Sequence, residues 1–208
     1  MTYPIGAVIL AAGAGRRFGG PKALARVGEE SWLSAAAGKI QEAGFGWISI
    51  VLGVDAEKVR ADSSVGAVSH GNSAGGATIS WVLNARWSAG RTGSIACGLS
   101  DLPSWSRGAI IHQVDFPFVK ALTFRALAEA FEADAGAEGA IFLPLESGRR
   151  GHPILVGRDV WPEILEMGPD DPLRNVIHKV RARIREVAVS DSGIHGNINR
   201  ATDARIGE

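Results

Sequence analysis

Ile5-Gly6-Ala7-Val8-Ile9-Leu10-Ala11-Ala12-Gly13-Ala14-Gly15-Arg16-Arg17-Phe18-Gly19-Gly20-Pro21-Lys22 is the stretch from which the fold can be read. Residues 5–11 form a short apolar run stopped by Gly13, the pattern of a strand buried on both faces. A turn of small residues follows, with Arg16, Arg17 and Lys22 inside seven positions. In an open α/β sheet, ligands bind beyond the carboxyl ends of strands. Small residues let the backbone approach a ligand and present its N–H groups to anionic oxygens. The three cations add charge, so a polyphosphate suits the turn better than solvent alone. A merely solvated basic turn is the plainer reading, but strand, glycines and cations agree with one another.

Two commoner motifs do not fit. A dinucleotide fingerprint needs G-x-G-x-x-G, but Gly13-x-Gly15 is followed by Phe18, and Pro21 stands where a helix should be running. A G-x-x-x-x-G-K-[ST] loop fails as well, because Pro21 follows Gly20 and Ala23 follows Lys22.

Outward from this turn, strand and helix patterns alternate. Residues 31–43 place Trp32, Leu33, Ala36, Ala37 and Ile40 on one helical face, with Gly44 as the stop. Residues 47–52 and 78–83 read as strands, with a short helix over 55–61 between them. Residues 65–93 as a whole are hard to read, with Gly66, Gly71, Gly75, Gly76, Gly90 and Gly93 around the one plausible strand at 78–83. Strands are expected at 108–114, 140–143, 153–156 and 184–189. A helix over 119–131 would bury Val119, Leu122, Leu127, Ala130 and Phe131. Asp171-Pro172 reads as a cap and first turn for a helix carrying Leu173, Val176, Ile177 and Val180. The alternation predicts a single α/β domain over 1–208 with a mostly parallel sheet.

Composition excludes several classes. The 208 residues are 46% hydrophobic and 21% charged, which supports a full core rather than disorder. Twenty-two basic and 22 acidic residues cancel, which argues against a broad nucleic-acid-binding face. Cys97 is the single cysteine, so no internal disulfide or cysteine-rich zinc site is expected. No apolar run reaches the ~18–20 residues of a membrane span, and Met1-Thr2-Tyr3-Pro4 lacks a leader pattern. A cytoplasmic protein without a membrane partner is the expectation. Glycine, 27 of 208, is nearly twice the usual ~7%, so permissive backbone is needed somewhere.

Leu10-Ala11-Ala12-Gly13 through Lys22 resembles the L-A-A-G-x-S-x-R-M-G-x-x-K signature of nucleotidyltransferases, most of all the molybdenum cofactor cytidylyltransferase branch. Gly13, Arg17, Gly19 and Lys22 fall on pattern; Gly15 replaces the serine and Phe18 the methionine. The resemblance implies a three-layer, Rossmann-like GT-A fold whose loop, Leu10 to Gly15 with Arg16, wraps a nucleoside triphosphate while Arg17 and Lys22 hold phosphate oxygens. Ala12 matches the pyrimidine users, where guanylyltransferases carry glycine, and so favours CTP, with UTP behind it. A methyl-sized steric effect is worth only ~1–3 kcal/mol.

Further segments extend the likeness over nearly the whole chain. Val114-Asp115-Phe116-Pro117 resembles V-D-Q-P, which makes Asp115 the Mg²⁺ ligand. Alone, it would read more readily as a helix-capping Asp. The buried-strand residue His112 just before it reads as packing. Asn197-Ile198-Asn199 lies where the cytidylyl branch has D-I-D and the guanylyl branch N-I-N, so Asn199 falls on the second metal ligand. An Asx turn is the alternative there. Residues 84–99 resemble N-P-x-W-x-x-G-x-x-x-S-L-x-x-G-L, with Ser94 on the base or ribose. Arg149-Arg150-Gly151-His152-Pro153 resembles the G-H-P of the cytidylyl branch, which implies Arg150 and His152 as acceptor contacts.

The activity implied is transfer of CMP from CTP to a phosphorylated acceptor such as molybdopterin, with Mg²⁺ or Mn²⁺ and release of pyrophosphate. Arg17, Lys22 and Asp115 would carry the catalysis, and a molybdoenzyme apo-protein is a conceivable further partner. Other readings are a guanylyltransferase, a sugar- or polyol-phosphate nucleotidyltransferase, and a non-catalytic molybdenum cofactor chaperone. The broken glycine fingerprint disfavours a nicotinamide oxidoreductase.

Overall fold

The computed structural model describes residues 2–62, 65, 76–179, 183–200 and 202–203. The glycine-rich segment 66–75, Val180 and Ala201 lie outside the described residues.

An eight-stranded sheet organises the chain. Its strands are β1 (Ile5–Leu10), β4 (Trp47–Leu52), β5 (Thr78–Leu83), β6 (Gly108–Gln113), β7 (Ile141–Glu146), β8 (Arg149–Arg150), β9 (Ile154–Gly157) and β10 (Ile184–Ala188). Across the sheet the order is β5-β4-β1-β6-β9-β7-β10, with β8 paired to β7. A small hairpin, β2 (Arg26–Val27) with β3 (Glu30–Ser31), stands apart. The ladders β5-β4-β1-β6 and β7-β10 are parallel, and β9 joins the two blocks by antiparallel pairing on both sides. Ile9 of β1 faces Ile50 on one side and His112 on the other.

The helices are α1 (Trp32–Glu42), α2 (Ala56–Asp62), α3 (Arg91–Asp101), α4 (Ala121–Ala133), α5 (Trp161–Leu165) and α6 (Arg174–Lys179). They make three layers with the sheet. β1 is buried throughout, and its side chains alternate between two cores. Ile5, Ala7 and Ile9 meet Trp32, Leu33 and Ile40 of α1 and Phe124, Leu127 and Phe131 of α4. Val8 and Leu10 meet Ile95 and Leu99 of α3, with Trp161 and Ile164 of α5. An all-apolar central strand is therefore the product of helices on both faces.

α1 starts on Ser31, whose Oγ accepts the Ser34 N–H, and stops at Gly44, whose φ of +100° supports the closing bond from its N–H to Gln41 O. α4 begins at Ala121, two residues later than expected, and turns Leu122 outward at 66% exposure while Phe124 is fully buried. No side chain of its own first turn caps α4. Asp171 does not cap a helix at Pro172; its Oδ2 accepts the Gly168 N–H at 2.8 Å, and α6 starts at Arg174. No helix among the described residues is long and apolar enough to cross a membrane.

Candidate active site

β1 lies between β4, to which the chain crosses next, and β6 on the opposite side. Such a reversal opens a crevice at the carboxyl ends of the strands. A cleft of about 460 Å³ occupies that crevice, walled by residues 10–18, Lys22, Gln113 and Asp115. Its far wall is Trp87, Ser88, Gly90, Arg91 and Ser94, and Asn199 closes a third side. Of the residues predicted to bind nucleotide or metal, Leu10, Ala11, Ala12, Gly13, Gly15, Arg16, Arg17, Lys22, Ser94, Asp115 and Asn199 all meet here.

Backbone bonds shape the loop. Ala11 donates to Val51 O at 2.9 Å, and Ala12 O accepts from Val54 at 3.3 Å, which ties the loop's start to β4 and the turn after it. Gly15, at φ +57°, accepts at its carbonyl from the N–H groups of Phe18, Gly19 and Gly20. A Cβ on Gly15 would lie 1.8 Å from Gly20 O. The glycine that replaces the family's serine is thus required by this loop's path. Arg16 and Arg17 are exposed and make no ion pair among the described residues.

Lys22 is held differently. Its Nζ lies 3.0 Å from Asp115 Oδ2 and 3.2 Å from Asn199 Oδ1. Asn197 Nδ2 approaches the same carboxylate oxygen at 3.4 Å. Asp115 Oδ1 is buried and has no partner. A carboxylate and an amide oxygen thus converge on one cation position, with one carboxylate oxygen left over. A hard divalent cation takes such oxygens and completes its shell with water and phosphate, so the residues present fit one. No group of three or more His, Cys, Asp or Glu side chains with metal-binding geometry occurs among the described residues.

Ser94 Oγ, 4% exposed, accepts from Asn84 Nδ2 at 3.0 Å, and Asn84 Oδ1 accepts the Arg86 N–H. That leaves the Ser94 hydroxyl proton to donate. The reading of single residues missed Arg91 as a site residue. A cation at the first position of α3 opposes the helix dipole, and no side chain caps that end. That mismatch was the available signal.

The Arg149–Pro153 segment behaves differently from expectation. Arg150 lies on β8, exposed, with Nε 2.7 Å from Glu186 Oε1 of β10, and is not part of the cleft wall. His152 packs 4.8 Å from Phe116, with Gln113 Nε2 3.4 Å from each ring nitrogen. Burial first, and Arg91 second, push its pKa down to about 4. The imidazole is neutral at pH 7, so it offers hydrogen bonds and a ring face rather than positive charge. Neighbouring His112 is fully buried, T-shaped on Phe124 at 5.2 Å, and pushed down to about 3 by burial.

Comparison with known proteins agrees with this geometry. The family model described as the MobA-like NTP transferase domain matches residues 7–186. The Rv0371c homologue of Mycobacterium sp. strain JC1 superimposes with a TM-score of 0.78 at 22% identity, over 99% of this chain and 96% of that one. Rv0371c of Mycobacterium tuberculosis H37Rv, in complex with manganese, gives 0.68 at 25% identity over 91% and 89%. A nucleotidyl transferase of Methanothermobacter thermautotrophicus gives 0.77 at 24% identity over 97% and 95%. No curated protein matches the chain. A family match across most of the sequence, on a sheet that carries the loop and the acidic strand end where that chemistry needs them, makes this chain a member of the MobA-like NTP transferase family of nucleotidyltransferases.

Proposed function

We propose that the chain moves CMP from CTP to a phosphorylated acceptor, molybdopterin being the acceptor its sequence favours, and releases pyrophosphate. The observation that carries this reading is the convergence of Asp115 and Asn199 on one cation position beneath a loop with two unpaired arginines. An oxygen of the acceptor's phosphate forms a bond to the α-phosphorus as the bond from that phosphorus to the pyrophosphate oxygen breaks. The acceptor oxygen is already ionised, so no strong general base is required. Positioning and charge supply most of the rate, as in other phosphate transfers.

Asp115 and Asn199 would hold Mg²⁺ or Mn²⁺, which when bound neutralises charge on the phosphates. The manganese complex of the related Mycobacterium tuberculosis protein supports a divalent ion here. Lys22 would exchange its two present partners for phosphate oxygens, joining Arg16 and Arg17 on the leaving group. Ala12 is 6% exposed in the cleft wall, and its methyl group would narrow the slot for the base in favour of a pyrimidine. Ser94 would hold the base or ribose. His152, neutral behind Gln113, would contact the acceptor by hydrogen bond or stacking. Arg150 would reach an acceptor phosphate only by leaving Glu186. The Asn197–Asn199 pair favours a second reading, guanylyl transfer.

Pyrophosphate release with each of the four nucleoside triphosphates, Mg²⁺ and molybdopterin tests the proposal. CTP should be the best donor, and Asp115→Ala should lower turnover by ~10³-fold or more with the fold intact, as expected for lost transition-state electrostatics. Release with GTP alone would replace the cytidylyl reading with the guanylyl one. An active Asp115→Ala protein would remove Asp115 from the chemistry.

A further inference from the structure

Asp191 lies outside the cleft wall and touches none of the groups placed in the reaction, yet it is a carboxylate only 3% exposed. A buried carboxylate is costly unless hydrogen-bonded. Oδ2 accepts the Lys120 N–H at 2.8 Å and the Thr123 hydroxyl at 2.6 Å, while Oδ1 accepts the Gly193 N–H at 3.0 Å. Lys120 and Thr123 form the uncapped start of α4, so Asp191 supplies from a distant part of the chain the cap that helix lacks.

What Asp191 joins is more telling than how it is satisfied. α4 follows directly on the turn that presents Asp115, and the Asp191 loop runs on to Asn197 and Asn199. The two oxygen donors therefore belong to segments that meet at this carboxylate. Further contacts fix the 191–199 loop: the Ile198 N–H donates to Asp115 O at 2.9 Å, the backbone N–H of His152 donates to Ile194 O at 3.0 Å, and a Cβ on Gly193 would lie 2.3 Å from Phe118 O. Asn199 itself is exposed, while its neighbour Ile198 is buried.

We infer that Asp191 is a positioning residue: by clamping the start of α4 to the 191–199 loop, it sets the Asn199 amide oxygen against the Asp115 carboxylate and so completes the cation site. The inference rests on the reading of that site as a metal site. Asp191→Asn is the sharp variant, since both oxygens accept from backbone N–H groups and an amide must turn its NH₂ against one of them.

Mn²⁺ binding to the nucleotide-free protein, followed by loss of the free-ion EPR signal, separates placement from stability. Asp191→Asn should weaken Mn²⁺ roughly tenfold, the low end of the range for groups that support metal ligands. Thr123→Val, which removes one of the three bonds and keeps its volume, should weaken it less, in the same direction. In an Asn199→Ala background the Asp191→Asn loss should largely vanish, because the two changes act on one interaction. A lower melting temperature with unchanged Mn²⁺ affinity in both Asp191→Asn and Thr123→Val would overturn the positioning role, as would an equal loss in the Asn199→Ala background. Failure of the wild-type protein to bind Mn²⁺ would overturn the metal reading itself, and the inference with it.

Discussion

At the residue scale the cleft separates groups whose chemistry is fixed by type from groups whose place is fixed by backbone. Gly15 is of the second kind. Gly15→Ser restores the family's residue, yet at φ +57° with its Cβ 1.8 Å from Gly20 O it should deform the loop. The expected outcome is a KM for CTP raised by tenfold or more, roughly 1.4 kcal/mol of binding, with steady-state kinetics as the check. His112, buried, and His152, half-buried, give a pH prediction. Both have folded pKa values below the ordinary value of 6.5, about 3 for His112 and about 4 for His152. Between those values and 6.5 the unfolded chain binds more protons than the native one, so stability rises with pH there. It should be fully present above pH 6.5 and fall progressively as pH drops toward 4 and then 3. Urea midpoints measured from pH 7 to 4 should show this, and His112→Phe should flatten the slope.

At the element scale, α3 lies close on the sheet because Gly98 has no side chain: an added Cβ would sit 2.3 Å from Val8 Cγ1. Gly98→Ala gains ~1 kcal/mol of helix propensity, but overpacking against the central strand costs ~1–3 kcal/mol. Net destabilisation is expected, and chemical denaturation measures it. β7 carries Pro144 and was read from sequence as ending before it. The strand continues because β9 pairs only with Ile141 and Phe142, so the missing N–H lies past the shared ladder while Pro144 O still accepts from Gly151. β9 itself was placed within one residue, but its antiparallel direction depends on a return after β8 that no local pattern encodes. Leu122 and Asp171 were misassigned for a related reason. The start of α4 is fixed by a partner far along the chain, Asp191, and the Asp171 carboxylate is taken up by the Gly168 N–H before it instead of by the helix after it.

At the scale of the whole molecule, the apolar runs of β1, β4, β5 and β6 and the glycine-and-cation turn were legible because each is a local signal with one physical cause. They are enough to place the cleft. The acceptor side was less legible, since Arg150 looks available in sequence and is engaged by Glu186 only once β10 arrives beside β7. That exposed pair is worth little, ~0–1 kcal/mol. Arg150→Ala should therefore leave the melting temperature and the KM for CTP nearly unchanged, which places any effect it has on the acceptor alone.

A crystal structure of the protein grown with CTP and Mg²⁺ tests the site most directly. The triphosphate should lie in the 13–22 loop with Lys22 turned onto it, and one metal ion should touch both Asp115 and Asn199. An empty loop, or a nucleotide bound elsewhere with Lys22 still joined to Asp115, would contradict the assignment.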